Sequence, residues 1–263
     1  MKKIISVFAL LLCLVLMSAC ALGEITVTKK DMALNRSLDK SVNNVLMLMQ
    51  DGEWTDTVMI ASINGKTGRS VMTRVDSELT VELPEVGSVK LGDVYMLGDE
   101  KSRGFLVART LNELLDLNIS TYMSLDIARL PEIVEVVGQL NMQYDEYEAA
   151  AMGTWEGINE LSDDKVLEYV RLKLESDSPA RSRGYDALMQ LLYQGLNSGN
   201  LGNMMGLGKQ LLDSMDTNLN VMAAVTMVSA VQGGKDRREL LISQTEQADA
   251  EQMRAAFHRE VYE

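Results

Sequence analysis

Two apolar segments joined by an Asn-Gly turn place the strongest constraint on how this chain folds. Residues 56–63 and 69–75 are rich in apolar and β-branched side chains, and the residues between them read Asn-Gly-Lys-Thr-Gly. Asn-Gly tolerates the positive φ angles of a tight turn, so this pattern predicts a β-hairpin. The apolar run at residues 44–49 predicts a buried strand just before it. The first third of the chain is therefore expected to form the centre of a β-sheet.

Helical periodicity dominates the rest of the chain. Residues 80–83 alternate before Pro84 and predict an edge strand, and two further strands are predicted at 118–125 and 140–144. Apolar residues at three- and four-residue spacing predict helices at 101–117, 127–137, 163–174, 179–196, 201–215 and 218–231, and a short helix is expected within 28–43. Early strands and later helices predict an α/β fold, with a central mixed β-sheet flanked by helices on both faces.

The N-terminus has the order of a secretory signal peptide. Lys2 and Lys3 precede an apolar run at residues 4–17, and small residues follow. The run is shorter than the roughly 20 apolar residues that cross a bilayer. We predict cleavage after Gly23. The protein is then expected to be exported, and either secreted or associated with the cell wall or with the outer face of the membrane. Residues 17–20 resemble a lipobox, so lipid attachment at Cys20 is the alternative.

Charge and composition exclude several functional classes. The chain has 25 basic and 38 acidic residues, a net charge of −13, which disfavours nucleic-acid binding. Both cysteines, Cys13 and Cys20, lie in the signal region, so the cleaved protein has no thiol chemistry. The single histidine, His258, lies in a charged C-terminal segment expected to be a tail, which argues against a Ser-His-Asp triad or a multi-histidine zinc site.

Three acidic residues flank the predicted hairpin. Asp56 opens its first strand, and Asp76 and Glu78 follow its second strand. A hairpin brings the start of one strand near the end of the other, so Asp56 and one of these acids are placed to share a divalent cation. The alternatives are that Asp56 caps a turn and that the loop acids are only solvated.

A basic cluster stands out in this acidic chain. It lies where one predicted helix ends and the next begins, and it consists of Arg171, Lys173, Arg181 and Arg183. Guanidinium groups match phosphate oxygens bidentately, so this cluster is a candidate phosphate site. The alternative is ion pairing with the acidic neighbours Glu168, Glu175 and Asp177.

Taken in order, the segments between residues 44 and 231 resemble the LytR-CpsA-Psr (LCP) family. Asn-Val-Leu-Met-Leu at 44–48 looks like the family's opening strand, and Thr-Asp-Thr-Val-Met at 55–59 is similar to its Ser-Asp-Thr motif. Lys-Leu-Gly-Asp-Val-Tyr at 90–95 is similar to its Lys-φ-Asn-x-x-Tyr segment, where φ is apolar. Leu-Glu-Tyr-Val-Arg-Leu-Lys at 167–173 resembles its Leu-x-Tyr-x-Arg-x-Arg helix end. Asp177 and Arg183 match parts of its Asp-x-x-Arg-x-x-Arg-Gln run.

The resemblance implies an enzyme that moves glycopolymers from a polyprenyl pyrophosphate carrier onto peptidoglycan. It implies a Mg²⁺ ion held by the catalytic carboxylates Asp56 and Glu78. It further implies that Arg171, Lys173 and Arg183 hold the pyrophosphate and that Lys90 lies on the same cleft. The lipid would bring the protein to the membrane surface. The expected organisation is a signal peptide at 1–23, a lead-in at 24–43, an LCP-like domain at 44–232 and a charged tail at 233–263.

The sequence also departs from the family's motifs. The Pro-Arg-Asp triplet aligns with Asp76-Ser77-Glu78, so its arginine is absent, and Ala180 and Gly184 stand where the later run has arginine and glutamine. Three hypotheses follow. The chain is a divergent phosphotransferase, a catalytically impaired module that binds polyprenyl phosphate or wall polymer, or an exported interaction domain that shares only the architecture.

Overall fold

The computed structural model describes residues 24–175, 177, 182–197, 215–220, 236–243 and 250–263. The signal region, Arg181 and nearly all of the helices predicted at 201–215 and 218–231 lie outside the described residues. The strands are β1 Val42–Asp51, β2 Trp54–Asn64, β3 Arg69–Val75, β4 Thr80–Leu83, β5 Gly87–Lys90, β6 Thr121–Asp126, β7 Leu140–Tyr144, β8 Gly157–Leu161, β9 Asp216–Thr217 and β10 Asp236–Ile242. The α-helices are α1 Leu91–Leu97, α2 Arg103–Leu115, α3 Leu130–Val137, α4 Glu146–Met152, α5 Asp163–Val170, α6 Arg183–Asn197 and α7 Ala250–Tyr262.

Six strands form the central sheet, in the order β10-β3-β2-β1-β6-β9. The pair β1 and β6 is parallel, as is the pair β3 and β10, whereas β2 runs antiparallel to both β1 and β3. Strands β1, β3, β6 and β10 therefore share one direction and end at the same edge of the sheet. The β4–β5 and β7–β8 pairs form separate two-stranded ribbons.

The sheet is covered on both faces, as predicted. On β1, Leu46 and Leu48 point to one face and Met47 and Met49 to the other, because side chains alternate along a strand. Helices α1, α2 and α7 pack on the first face, and α3, α5 and α6 pack on the second. The α/β fold with a mixed central sheet and helices on both sides is thus confirmed. The methionines of β1 are core residues.

The hairpin forms at the predicted turn. The Asn64 side-chain oxygen accepts hydrogen bonds from the backbone N–H groups of Lys66 and Thr67, and Gly68 adopts a φ of 71°. A β-carbon is costly at that φ, so glycine suits the position. The register of the β2–β3 pair runs from Asn64 opposite Arg69 to Val58 opposite Val75. This pairing brings the start of β2 close to the end of β3.

The charged C-terminal segment is part of the domain, so its prediction as a tail was wrong. Strand β10 completes one edge of the central sheet, and α7 buries Met253, Phe257 and Val261 against the core. His258 lies on α7 with its Nε2 2.9 Å from the carbonyl oxygen of Leu115, at the end of α2. The buried residues of α7 are few and are surrounded in sequence by charged residues, so the segment was predicted to be exposed to solvent.

Other boundaries also differ from the sequence prediction. The helix expected at 163–174 ends at Val170, and the short helix expected within 28–43 is a 3-10 turn at Lys29–Asp31. The lead-in is nevertheless anchored, because Asn112 donates a hydrogen bond of 2.7 Å to the Met32 carbonyl. Among the described helices, none is long and apolar enough to cross a membrane.

Candidate functional site

A pocket of about 280 Å³ opens at the sheet edge where β3 and β10 end and β2 begins. Parallel strands commonly bind ligands at their carboxyl ends, where successive loops converge. The residues that line it are Trp54, Asp56, Thr57, Val58, Arg74, Val75, Asp76, Ser77, Glu78, Lys173, Ser182, Leu241 and Ser243. The hairpin therefore brings Asp56, Asp76 and Glu78 to one cavity, as its geometry predicted.

Asp56 is more enclosed than Glu78, since its side chain is 19% exposed and that of Glu78 is 60% exposed. Its Oδ2 accepts hydrogen bonds from the hydroxyls of Thr57 at 3.2 Å and Ser182 at 3.4 Å. Its Oδ1 lies 3.4 Å from the Nζ of Lys173. The close approach of α6 depends on Gly184, because a β-carbon there would lie 2.9 Å from Asp56 Oδ2.

Glu78 and Lys90 form an exposed ion pair at the mouth of the site. The hydrogen bond that Lys90 donates to Glu78 raises the pKa of Lys90, which keeps the ammonium charged. Glu78 lines the pocket, while Lys90 is not among its lining residues and reaches it only through this pair. Either member of this pair could change partner when a ligand binds, because an exposed ion pair stabilises a protein by at most about 1 kcal/mol.

The segment after α5 carries two basic side chains that face two acids. Arg171 hydrogen bonds to Asp51 through Nε and Nη2, the shortest contact being 2.8 Å. Lys173, two residues later, faces Asp56 and is 79% exposed. Lys173 lines the pocket, whereas Arg171 is not among the lining residues and is bonded to Asp51, the last residue of β1. Ion pairing of Arg171 is therefore real, although its partner is across the fold rather than a sequence neighbour.

Arg183 lies in a buried ion-pair network and is not among the residues that line the pocket. Its side chain is 2% exposed and donates to Glu148 at 2.9 Å and to Asp177 at 2.7 Å. It also donates to the carbonyl of Leu172 at 2.8 Å. These bonds join α4, the segment that carries Lys173, and the start of α6. In this structure Arg183 thus holds the segment that carries Lys173, and the direct phosphate contact implied by the resemblance stays a prediction.

Arg74 is a pocket residue that the sequence analysis missed. It lies on β3 opposite Met59 and Leu241, and its guanidinium carbon stands 5.2 Å from the centre of the Tyr185 ring. A sequence signal did exist. Met72, two residues earlier, belongs to the core cluster that also contains residues of α6. Because side chains alternate along a strand, Arg74 lies on that same face of the sheet. Burying a charge without a partner is costly, so a charged residue on this face indicates a functional role.

The resemblance implies a Mg²⁺ ion, for which this pocket offers carboxylate and hydroxyl oxygens. In the part of the chain that the structure describes, no three histidine, cysteine, aspartate or glutamate side chains converge as ligands. Mg²⁺ usually takes only one or two protein carboxylates and fills the remaining positions with water and substrate phosphate. Asp56, with the hydroxyls of Thr57 and Ser182 beside it, meets that smaller requirement.

Comparison with known proteins identifies the family. The family model described as the LytR_cpsA_psr family matches residues 21–258. The chain is 22% identical over 191 residues to the polyisoprenyl-teichoic acid–peptidoglycan teichoic acid transferase TagU of Oceanobacillus iheyensis, covering 69% of this chain and 59% of that protein. The chain spans 55–59% of the length of the curated relatives it matches.

Solved structures show the same fold. A crystal structure of Bacillus subtilis TagT superposes with a TM-score of 0.70 at 14% identity, covering 90% of this chain and 99% of that one. TagT with bound octaprenyl pyrophosphate lipid superposes with a TM-score of 0.66 at 15% identity, covering 92% of this chain and 98% of that one. With a family model that matches nearly its whole length and a fold shared with TagT, the chain belongs to the LytR-CpsA-Psr family.

Proposed function

We propose that this protein is an exported phosphotransferase that moves a glycopolymer from a polyprenyl pyrophosphate carrier to peptidoglycan. The observation that carries the proposal is the pocket itself, which gathers acidic, basic and hydroxyl side chains at the carboxyl ends of the parallel strands. The curated relative TagU is a transferase of this kind, and a TagT structure holds a polyprenyl pyrophosphate. Both facts support the proposal for a chain of the same family.

The reaction would be a displacement at phosphorus. A hydroxyl oxygen of the acceptor glycan forms a bond to the phosphorus that carries the polymer, and the bond to the polyprenyl phosphate leaving group breaks. The hydroxyl proton passes to a carboxylate of the pocket. In this proposal Lys173, which lines the pocket, would stabilise the phosphate charge, and Arg171 would join it on release from Asp51.

Asp56 and Glu78 are the carboxylates we propose as Mg²⁺ ligands, and the ion would neutralise charge on the transferring phosphate. The hydroxyls of Thr57 and Ser182 fix the Asp56 carboxylate, and Arg183 fixes the segment that carries Lys173. The bound lipid would bring the domain to the membrane surface.

A binding module without turnover is the second candidate. It is favoured by Ser77, which lines the pocket where the family's triplet has an arginine, and by the engagement of Glu78 with Lys90. Such a protein would hold a polyprenyl phosphate or a wall polymer and release it unchanged.

The test is transfer of a polyprenyl-pyrophosphate-linked glycan to peptidoglycan by the protein from residue 24, with and without Mg²⁺. We expect Mg²⁺-dependent transfer that falls at least about 100-fold in Asp56→Asn, because charge stabilisation by such groups is worth about 3 kcal/mol or more. Glu156→Gln is the matched control, since Glu156 is exposed and outside the pocket. Binding without transfer would support the second candidate, a binding module. Equal transfer by the wild type and Asp56→Asn would refute the assigned site.

A further inference from the structure

We infer that Arg74 binds the pyrophosphate oxygens in this pocket and so supplies the arginine that position 77 lacks. The inference rests on the proposed function for the lipid part of the ligand, and on the pocket alone for the anion. It concerns an arginine on the interior strand β3, outside the motifs that carry the family resemblance.

The setting of Arg74 gives it a fixed guanidinium. Its strand is hydrogen bonded on both sides, by β2 and by β10, so its backbone is held in the middle of the sheet. The guanidinium lies over the ring of Tyr185, which is itself buried. The ring attracts the positive charge, and a guanidinium carries several N–H donors, so hydrogen-bonding capacity remains for a ligand. Arg74 is therefore preorganised toward the pocket that it lines.

Competition with other acids distinguishes Arg74 from the neighbouring basic residues. Arg171 is bonded to Asp51, Arg183 to Glu148 and Asp177, and Lys90 to Glu78. Within the described ranges, Arg74 makes no ion pair, and its recorded contact is the Tyr185 ring. A ligand can therefore reach this guanidinium without breaking an existing salt bridge.

The charge balance of the pocket requires such a group. Its described lining includes the carboxylates Asp56, Asp76 and Glu78 but only two cations, Arg74 and Lys173. The carboxylates of the pocket repel a pyrophosphate, so binding requires a cation whose charge is not already neutralised by a carboxylate. An arginine fork meets two phosphate oxygens at once, which a lysine ammonium does not. Arg74 fits that role because its guanidinium lies over an aromatic ring and, within the described residues, makes no ion pair with a carboxylate.

The assay uses a fluorescent reporter that the chain already contains. The protein has two tryptophans, of which Trp54 lines the pocket and Trp155 is 69% exposed outside it. In a Trp155→Phe background, Trp54 emission reports occupancy of the pocket. The protein from residue 24 is titrated in two arms, one with inorganic pyrophosphate and one with a short polyprenyl pyrophosphate, each with Mg²⁺ present.

Arg74→Gln is expected to raise Kd at least about tenfold in both arms, which corresponds to about 1.4 kcal/mol. Arg74→Lys should recover only part of that loss, because lysine keeps the charge without the fork. Tyr185→Leu, which removes the stacking surface, should weaken binding several-fold. Arg238→Gln is the matched control, since Arg238 lies on β10 among Asp236 and Glu260 and away from the pocket. A urea unfolding curve for each variant shows whether it is folded. If Arg74→Gln is unfolded, Arg74→Lys is compared with the wild type instead.

Each outcome decides the matter. Equal Kd values for wild type and Arg74→Gln, with the lipid bound, would overturn the role of Arg74 and leave the proposed function intact. Arg74-dependent binding of inorganic pyrophosphate without lipid binding would support Arg74 and refute the proposed function. Failure of the wild-type protein to bind either ligand would refute both.

Discussion

Arg183→Met offers a direct test of whether Arg183 holds the fold or the substrate. The substitution keeps a long apolar stem but removes the guanidinium that bonds Glu148, a fully buried carboxylate, and Asp177. Breaking a buried ion pair from one side costs about 3–5 kcal/mol, because the remaining charge stays out of water. For a domain of this size a urea m value of about 3 kcal/mol per molar is expected, so the unfolding midpoint should fall by about 1–1.7 M.

The measurement is urea unfolding followed by circular dichroism, with two companion variants. Arg171→Met removes a pair that is half exposed on both sides, so its midpoint should move by less than about 0.3 M. Glu148→Gln combined with Arg183→Met should recover part of the stability, since no buried charge then lacks its partner. A midpoint for Arg183→Met within about 0.3 M of wild type, together with lost pyrophosphate binding, would refute the stabilising role and support Arg183 as a substrate contact.

Three further outcomes are expected. Gly184→Ala should weaken pyrophosphate binding about tenfold by Trp54 fluorescence, with an unfolding free energy within about 1 kcal/mol of wild type, because the added carbon displaces the Asp56 carboxylate; unchanged binding would contradict this. Asn112→Ala should cost about 2–3 kcal/mol in urea unfolding, since its buried amide bonds two separate segments of backbone; a smaller loss would show that water replaces it. Burial raises the pKa of Tyr95 to about 12, so the folded state favours the neutral phenol, and stability should fall as pH rises from about 10 to 12; Tyr95→Phe should flatten that fall, and an unchanged slope would count against it.

The parts of the fold that depend on neighbours in sequence could be predicted. The β2–β3 hairpin follows from its Asn-Gly turn, and β1 follows from a compact apolar run that serves both faces of the sheet. The shared location of Asp56 and Glu78 also follows from hairpin geometry alone. In each case the determining interaction spans at most a few tens of residues.

What the sequence analysis missed depends on contacts across the chain. Strand β10 pairs with β3 across about 167 residues, as the Arg69–Asp236 bond shows, and its charged sequence gives no strand pattern. The buried ion pair of Arg183 was not predicted because its partner Glu148 lies 35 positions earlier. Arg74 was not predicted as a pocket residue because its contact with the ring of Tyr185 depends on a helix more than a hundred residues later in the chain.

The position of β10 also bears on when the site exists during synthesis. The pocket wall includes Leu241 and Ser243, and β3 finds its outer hydrogen-bonding partner only in the last part of the chain. A chain that has emerged only far enough to expose the hairpin and the acids Asp56, Asp76 and Glu78 still has an open sheet edge at β3, a surface prone to pairing with other strands. Ligand binding would therefore appear only after the C-terminal residues emerge, and a chain cut short before residue 236 would hold the chemistry without its enclosure.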